Sequence, residues 1–271
     1  MAEEDNVPLP LSECLLTAFF RPAEFLELPT SKLVAAWPDW TLSAISDELN
    51  FVRLAEQFAG GTPNPLYRLE QDPTEKSALI LFGMNSISYN SPGPSYPGWA
   101  KYRDNALSVL KKASEIFGQG ESLQPLSFRY VDVFEADDFD GLARKFAPIS
   151  EDRDYSAGFE PLYKVVLASA TINGRESRIM RSAELFYPKD ADRKLRLVVE
   201  FNIEADLPRP TAGQKNAMIE GWLNAAHRVH KKLLWDALTD SYRADVQAGL
   251  FDDAEIAEFE ILPYGFSELV G

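Results

Sequence analysis

The sequence predicts an α+β fold in which antiparallel sheet carries long amphipathic helices on one face. Three observations lead to this prediction. The strand-like runs before residue 99 are separated by turn sequences too short for helical crossovers. Two long segments then change to the apolar spacing of a helix, and each half of the chain runs from several strands into one such helix. We therefore expect two topologically similar halves, residues 1–150 and 151–271, or one continuous domain containing both.

The first half begins with the apolar run "CLLTAFFRP", which predicts a buried strand that ends at Pro22. Thr30 or Ser31 follows as a candidate cap for a short helix that Pro38 interrupts. The next strand-like runs are "LNFVRLAEQ", "PLYRLEQ" and "SALILFGMNSISYN", with "AGGTPNP" and "DPTEK" between them. Because both separators have the composition of turns, these runs predict an antiparallel meander.

A helix is predicted from Trp99 to Phe117, where apolar residues recur at intervals of three and four. The preceding stretch "SPGPSYPGWAKYRD" (residues 91–104) is crowded with proline, glycine and aromatic residues. Its position between a strand and a helix favours a corner of the fold, in which Tyr96 and Trp99 bracket the helix start. Exposed aromatic residues in loops are also typical interface anchors, so Tyr96 and Trp99 remain candidate binding residues.

"LQPLSFRYVDVFEADDFDG" ends the first half and predicts a strand running into an acidic turn. The second half repeats this order and begins with three further strands. In the third of them, "KLRLVVEFNIE", apolar and polar residues alternate as in a half-buried antiparallel strand. The strongest predicted helix covers about residues 213–238. Its apolar stripe consists of Met218, Trp222, Ala225, Val229 and Leu233.

Composition excludes several classes of protein. With 45% hydrophobic residues the chain is ordinary globular material, and it contains no run of about 18 uncharged apolar residues. The acidic start "MAEEDNVPLP" is unlike a signal peptide, so we expect a cytoplasmic protein without a membrane span. A net charge of -15 disfavours binding to nucleic acid and favours a protein partner with a basic surface. The single Cys14 lies in an apolar run and is expected to be a buried, inert thiol.

No motif in the sequence supplies a recognisable catalytic centre. His227 and His230 lie three apart on the last predicted helix, but no further Cys or His cluster could complete a metal site. We expect His227 to be partly buried beside the apolar stripe and His230 to lie on a solvated basic face. The carboxylates of "DVFEADDFDG" lack the spacing of a calcium loop and predict a solvated acidic turn. Nuclease, nucleophile-elbow and phosphate-loop patterns are also missing, so no catalytic residue, metal or cofactor is predicted.

Four segments together resemble a sporadically distributed family of uncharacterised bacterial proteins of similar length. They are "CLLTAFFRP", "YPGWAKYRD", "LSFRYVDVFE" and "LNAAHRVHKKLLWDALTDSYR". They are similar to that family's opening strand, Tyr-Pro-x-x-Trp corner, Arg-Tyr-x-Asn strand end and Leu-x-x-x-His helix, with Asp132 where the family has asparagine. The family has no established activity. Its patchy distribution is typical of accessory genes, such as those of defence and toxin–antitoxin loci, which is an association and no mechanism.

Two hypotheses for function follow. The first is a non-catalytic, acidic interaction module that regulates or neutralises an effector encoded beside it. The second is an enzyme or small-ligand protein with a site in a cleft between the halves, lined by Arg129, Tyr130, Asp132 and His227. The missing catalytic motifs, the uniform acidity and the aromatic residues in loops favour the first hypothesis. The sequence leaves the partner, any substrate and the oligomeric state open.

Overall fold

The computed structural model describes ten stretches of the chain. They are residues 11–19, 30–44, 65–72, 77–83, 86–117, 125–147, 163–186, 194–206, 215–245 and 261–263. Within them the strands are β1 (Leu11–Phe19), β2 (Thr41–Ala44), β3 (Pro65–Glu70), β4 (Leu79–Gly83), β5 (Ser86–Pro92), β6 (Leu126–Ala136), β7 (Tyr163–Ile172), β8 (Arg175–Phe186), β9 (Leu195–Ala205) and β10 (Ile261–Pro263).

Within the described stretches the helices are α1 (Thr30–Ala36), α2 (Trp99–Phe117), α3 (Phe139–Ala143), α4 (Lys215–Ala237) and α5 (Asp240–Asp245). Two of them, α2 and α4, are long. A 3-10 turn, Gly93–Ser95, precedes α2. The bounds of α2 are those that the apolar spacing predicts, and α4 differs by two residues at its start and one at its end.

The strands hydrogen bond in the order β10-β7-β8-β9-β6-β1-β5-β4-β3-β2. β3, β4 and β5 are successive antiparallel neighbours, as the meander predicts for "PLYRLEQ" and "SALILFGMNSISYN", and β2, which the sequence did not predict as a strand, pairs with β3. β1 pairs with β5, and β7 pairs with β8, also antiparallel. The α+β class with antiparallel sheet is therefore confirmed. The predicted similarity of two halves stays a prediction, and the predicted strand "LNFVRLAEQ" lies outside the described residues.

The chain divides into two compact units that are built from separate stretches. One comprises residues 1–12, 130–203 and 224–271, and the other comprises residues 13–129 and 204–223. Neither coincides with residues 1–150 or 151–271, because β6, β9 and α4 each contribute residues to both units. The unit that contains β7 and β8 is called the β7 unit below, and the other is called the β5 unit.

The β5 unit has an aromatic core that is centred on α2. Tyr102 is fully buried, and its hydroxyl donates a hydrogen bond to the backbone oxygen of Tyr89. The rings of Tyr96, Trp99 and Phe128 all lie within 6.3 Å of the Tyr102 ring. The stretch from 91 to 104 is thus a corner that packs its aromatic side chains against the sheet, as its position predicts.

Gly98 makes this corner possible. Its φ of 86° lies in the left-handed region, and its carbonyl accepts the hydrogen bond from Tyr102 N that closes the first turn of α2. A side chain at this position would meet open space, so a substitution there is opposed by backbone strain rather than by a clash.

We expect Gly98→Ala to lower the free energy of unfolding by about 1 to 2 kcal/mol, the usual cost of a left-handed conformation for an L residue. Gly98→Asn is the matched control, since asparagine tolerates this conformation better, and it should lose less. Urea unfolding of both variants measures the difference. Equal losses would show that the φ of Gly98 is not what constrains the corner.

The β7 unit has its own aliphatic and aromatic core. Its buried residues come from β6, α3, β8, β9, α4, α5 and the residues that follow α3 and α4. They include Phe134, Leu142, Phe146, Leu185, Leu197, Val199, Phe201, Leu234, Leu238 and Tyr242. Alternate residues of β9 supply one side of this core, which is what the alternating pattern of "KLRLVVEFNIE" predicts. Within the same unit, Asn173 and Gly174 form the two-residue turn between β7 and β8, both with positive φ.

Among the helices that the structure describes, none combines the length and the apolar composition that a membrane crossing requires.

Candidate functional site

Four polar side chains form a buried cluster in the β7 unit. Tyr130 and Asp132 belong to β6, and His227 and His230 belong to α4. Their exposed fractions are 2%, 1%, 8% and 5%. Because polar groups this deeply buried require partners, their arrangement is the strongest candidate for a functional site among the described residues.

The secondary structure explains why these residues meet. Successive side chains of a strand alternate between faces, so Tyr130 and Asp132 point to the same side of β6. On a helix, residues three apart are neighbours, so His227 and His230 present one edge of α4. The cluster is thus formed by two short-range patterns that the fold brings together.

Aromatic stacking holds the centre of the cluster. The rings of Tyr130 and His230 are parallel within 8° with centroids 3.6 Å apart, and Phe201 of β9 approaches His230 edge-on at 5.2 Å. His230 therefore packs as an aromatic residue on two sides.

Two hydrogen bonds complete the cluster. The Tyr130 hydroxyl lies 2.5 Å from His227 Nδ1, and His230 Nε2 lies 3.2 Å from Asp132 Oδ2. His230 Nδ1 is buried and has no hydrogen-bond partner among the described residues. Each histidine thus uses one ring nitrogen to bond a residue of β6.

Burial lowers the pKa of His227 well below its usual value, and the nearby His230, Lys231 and Arg228 lower it further. His227 is therefore neutral near pH 7, and its Nδ1 accepts the hydrogen bond that the Tyr130 hydroxyl donates. The proton of the neutral ring is then on Nε2.

The chemical capacity of this cluster is limited by its burial. A general acid or base must come within hydrogen-bond distance of the proton that it transfers. All four side chains are more than nine-tenths buried and are used in contacts between β6 and α4. The arrangement is suited to holding the long helix on the sheet, and in this conformation it offers no exposed group to a substrate.

The structure brings together three of the predicted candidates, namely Tyr130, Asp132 and His227. It corrects the prediction for His230, which is buried rather than solvated. The buried face of α4 is wider than the predicted stripe, because residues 223, 226, 230, 234 and 237 are buried as well. These residues recur at spacings of three and four, so the pattern predicts the burial of His230 when histidine is included among the packing residues.

Arg129, Tyr96 and Trp99 belong to the β5 unit. Arg129 is 9% exposed, and alternation along β6 places it on the face opposite Phe128. Tyr96 and Trp99 are half-buried and stack against the Tyr102 ring, as packing residues of the corner would. Both rings keep partial exposure, so their candidacy as contact residues stays a prediction.

A second buried polar group, in the β5 unit, was not predicted. The hydroxyls of Thr17 and Ser88 lie 2.7 Å apart, and Asn90 Nδ2 donates a hydrogen bond to Glu13 Oε1. Thr17, Ser88 and Asn90 are at most 6% exposed. In "SISYNS" the polar residues occupy alternate positions, which normally indicates a solvent-facing side, so the sequence held no signal of their burial.

The acidic turn after β6 has a structural role in part. Asp138 accepts a hydrogen bond from Gly141 N and caps α3, and Glu135 forms an ion pair with Arg196 of β9. Asp132 is buried in the cluster above and does not belong to a solvated turn. Within the stretches that the structure describes, no three His, Cys, Asp or Glu side chains are grouped as metal ligands.

Comparison with protein-family models, with curated proteins and with solved structures gave no match. The resemblance to a sporadically distributed bacterial family therefore stays a prediction, and the site has to be interpreted from its own geometry.

Proposed function

We propose that this protein is a non-catalytic interaction module of the cytoplasm. It binds another protein that has a basic surface and regulates or neutralises it as an effector of a bacterial defence or toxin–antitoxin locus. The net charge of -15 supports a basic partner through electrostatic attraction. The burial of Tyr130, Asp132, His227 and His230 supports a role without catalysis, because no group of that cluster is presented to solvent.

The observation that carries the proposal is the outer edge of β7. β7 has ten residues, and all of them pair with β8 on one side. On the other side, within the stretches that the structure describes, Ala168, Ser169 and Ala170 pair with the three residues of β10. Among the described residues, the edge from Tyr163 to Leu167 has no neighbouring strand. Such an edge is a template for an extended segment of another chain.

The direction of the backbone groups along this edge follows from Pro263. Proline has no N–H, so its pair with Ala168 is the type in which the two residues exchange no hydrogen bonds. The pair that exchanges hydrogen bonds is then Leu262 with Ser169. Because backbone groups alternate along a strand, the N–H groups of Leu167 and Val165 point to the same outer side of β7 as that of Ser169. Leu167 is also among the exposed large hydrophobic residues, at 45%. The edge therefore offers both hydrogen bonds and apolar surface.

Val165→Pro tests the edge. It removes an outward N–H and no bond to β8, so we expect the fold to persist while the partner is lost. Val166→Pro is the matched control, because its N–H points to β8 and the loss of this ladder hydrogen bond should destabilise the sheet. Leu167→Lys is a second edge variant with the same expected loss of binding and an intact fold.

The measurement is affinity purification of each variant from the native host, with the recovered partner quantified against the bait at low and high salt. A stoichiometric, salt-sensitive partner that the Val165→Pro and Leu167→Lys variants fail to recover supports the proposal. Equal recovery by these variants, or no partner under any growth condition, contradicts it.

A further inference from the structure

We propose that Glu13 and Asn90 form a binding site for a small organic ammonium ion that carries an apolar group. Both residues belong to the β5 unit, Glu13 in β1 and Asn90 in β5. The site uses no residue of the β7 edge, so it goes beyond the proposed function and does not depend on it.

The site lies on the face of the sheet opposite α2. The ring of Tyr89 packs against Tyr102 of α2, so Asn90, the next residue of β5, points to the other side of the sheet. Asn90 is paired with Leu15 of β1 and with Leu79 of β4, and paired residues of antiparallel strands share a face. The Asn90 amide is therefore flanked by two leucines.

The Asn90 side chain has one acceptor without a partner. Its Nδ2 donates a hydrogen bond to Glu13 Oε1, but its buried Oδ1 receives none from any described residue. Asn90 is 6% exposed, so this oxygen keeps the cost of desolvation without a compensating bond. The nearby hydroxyls of Thr17 and Ser88, in contrast, bond each other. An unpaired acceptor at this depth requires an explanation, and a bound N–H donor supplies one.

Glu13 gives the site its charge. It is half-buried, and within the described stretches its carboxylate forms no ion pair. A carboxylate beside an amide oxygen favours a cation that carries N–H groups. An ammonium ion has three N–H donors and can bond both residues at once. Leu15 and Leu79 suit an apolar group on the same ion, because contact with them removes hydrocarbon from water.

The ligand reaches Asn90 from the β4 side. A row of paired residues crosses the sheet, namely Leu15, Asn90, Leu79, Glu70 and Thr41. Along this row the side chains change from buried at Leu15 through half-buried at Leu79 to exposed at Thr41. The ion therefore enters across Leu79 with its nitrogen leading, and its apolar group stays on the leucine.

Three probes with the same six-carbon chain test the site, namely n-hexylammonium, hexanoate and n-hexanol. NMR titration of the full chain measures the resonances of the Asn90 side-chain amide and of the Leu79 backbone amide. We expect hexylammonium to shift both with a dissociation constant on the order of 1 mM, which is within the bound for so small a ligand. Hexanoate and hexanol should leave both unchanged. Equal shifts with all three probes, or none with hexylammonium, would overturn the inference.

Two variants distinguish binding from packing. Glu13→Gln can still accept the Asn90 hydrogen bond but loses the charge, so the affinity for hexylammonium should fall about tenfold. Glu70→Gln is the matched control on the same face, since Glu70 already pairs with Arg68, and it should keep the affinity. Asn90→Leu removes the unpaired acceptor, so we expect it to lose binding without lowering the melting temperature. Unchanged affinity in Glu13→Gln, or a marked fall in the melting temperature of Asn90→Leu, would contradict the site.

Discussion

Replacing His230 by leucine is expected to lower the free energy of unfolding by about 1 to 3 kcal/mol, because it leaves a buried polar group without its hydrogen-bond partner. The substitution keeps most of the volume that packs against Tyr130 and Phe201. It leaves the Asp132 carboxylate, which is 1% exposed, without the ring nitrogen 3.2 Å away. A buried carboxyl group that has lost its hydrogen-bond partner keeps the cost of desolvation without the compensating bond, which reduces stability.

The double variant Asp132→Leu with His230→Leu separates this cost from packing. Because it removes the carboxylate as well, we expect it to be more stable than His230→Leu alone. Lys232→Ala is the control on the same helix, since Lys232 forms a surface pair with Asp236 and should change stability by less than about 0.5 kcal/mol. Urea unfolding measures all three. A double variant less stable than the single one would show that the Asp132 carboxylate needs no partner.

The stability of the wild-type chain is expected to fall as the pH drops below about 6.5, and His227 is one named cause. Burial lowers the pKa of His227 in the folded chain, whereas an unfolded chain has the ordinary histidine pKa of about 6.5. Above pH 6.5 the residue is neutral in both states and contributes no slope. Below it only the unfolded chain binds the proton, so the free energy of unfolding falls by about 1.4 kcal/mol per pH unit.

His227→Gln should remove this contribution. Glutamine is neutral throughout the range and can accept the hydrogen bond from Tyr130. Between pH 6.5 and the lowered folded-state pKa, the slope of the free energy of unfolding against pH should therefore decrease by the contribution of about one proton. His230, the carboxylates and the neighbouring Lys231 and Arg228 are present in both chains, so the difference between the two profiles isolates His227. Urea unfolding from pH 8 to pH 5 provides both profiles. Parallel profiles would mean that folding does not lower the pKa of His227.

Much of the fold follows from local patterns. The change of apolar spacing at Trp99 predicts α2 with its observed bounds, and the turn sequences around β3 predict an antiparallel meander. These predictions succeed because periodicity and turn chemistry act over a few residues. The run "SALILFGMNSISYN" was less informative. It contains two paired strands, β4 and β5, and its residues do not include a strong turn pattern between them.

The candidate site was predicted only in part. The sequence predicts Tyr130, Asp132 and His227 as the lining of a cleft, and it predicts His230 on the solvated face of the helix. The stacking of His230 between Tyr130 and Phe201 depends on β6, β9 and α4 together. Histidine is compatible with both water and an aromatic core, so its own sequence position could not decide between them.

The sequence by itself determined the α+β class, the antiparallel meander, both long helices and the acidic charge, because each depends on neighbouring residues or on composition. Only the tertiary structure decided which polar residues are buried and which strand edge lacks a described neighbour. The burial of Ser88 and Asn90, the cluster around His230 and the open edge of β7 all depend on elements far apart in the chain. The alternation of residues along a strand shows which side chains share a face. Whether that face is buried depends on elements that are distant in the sequence.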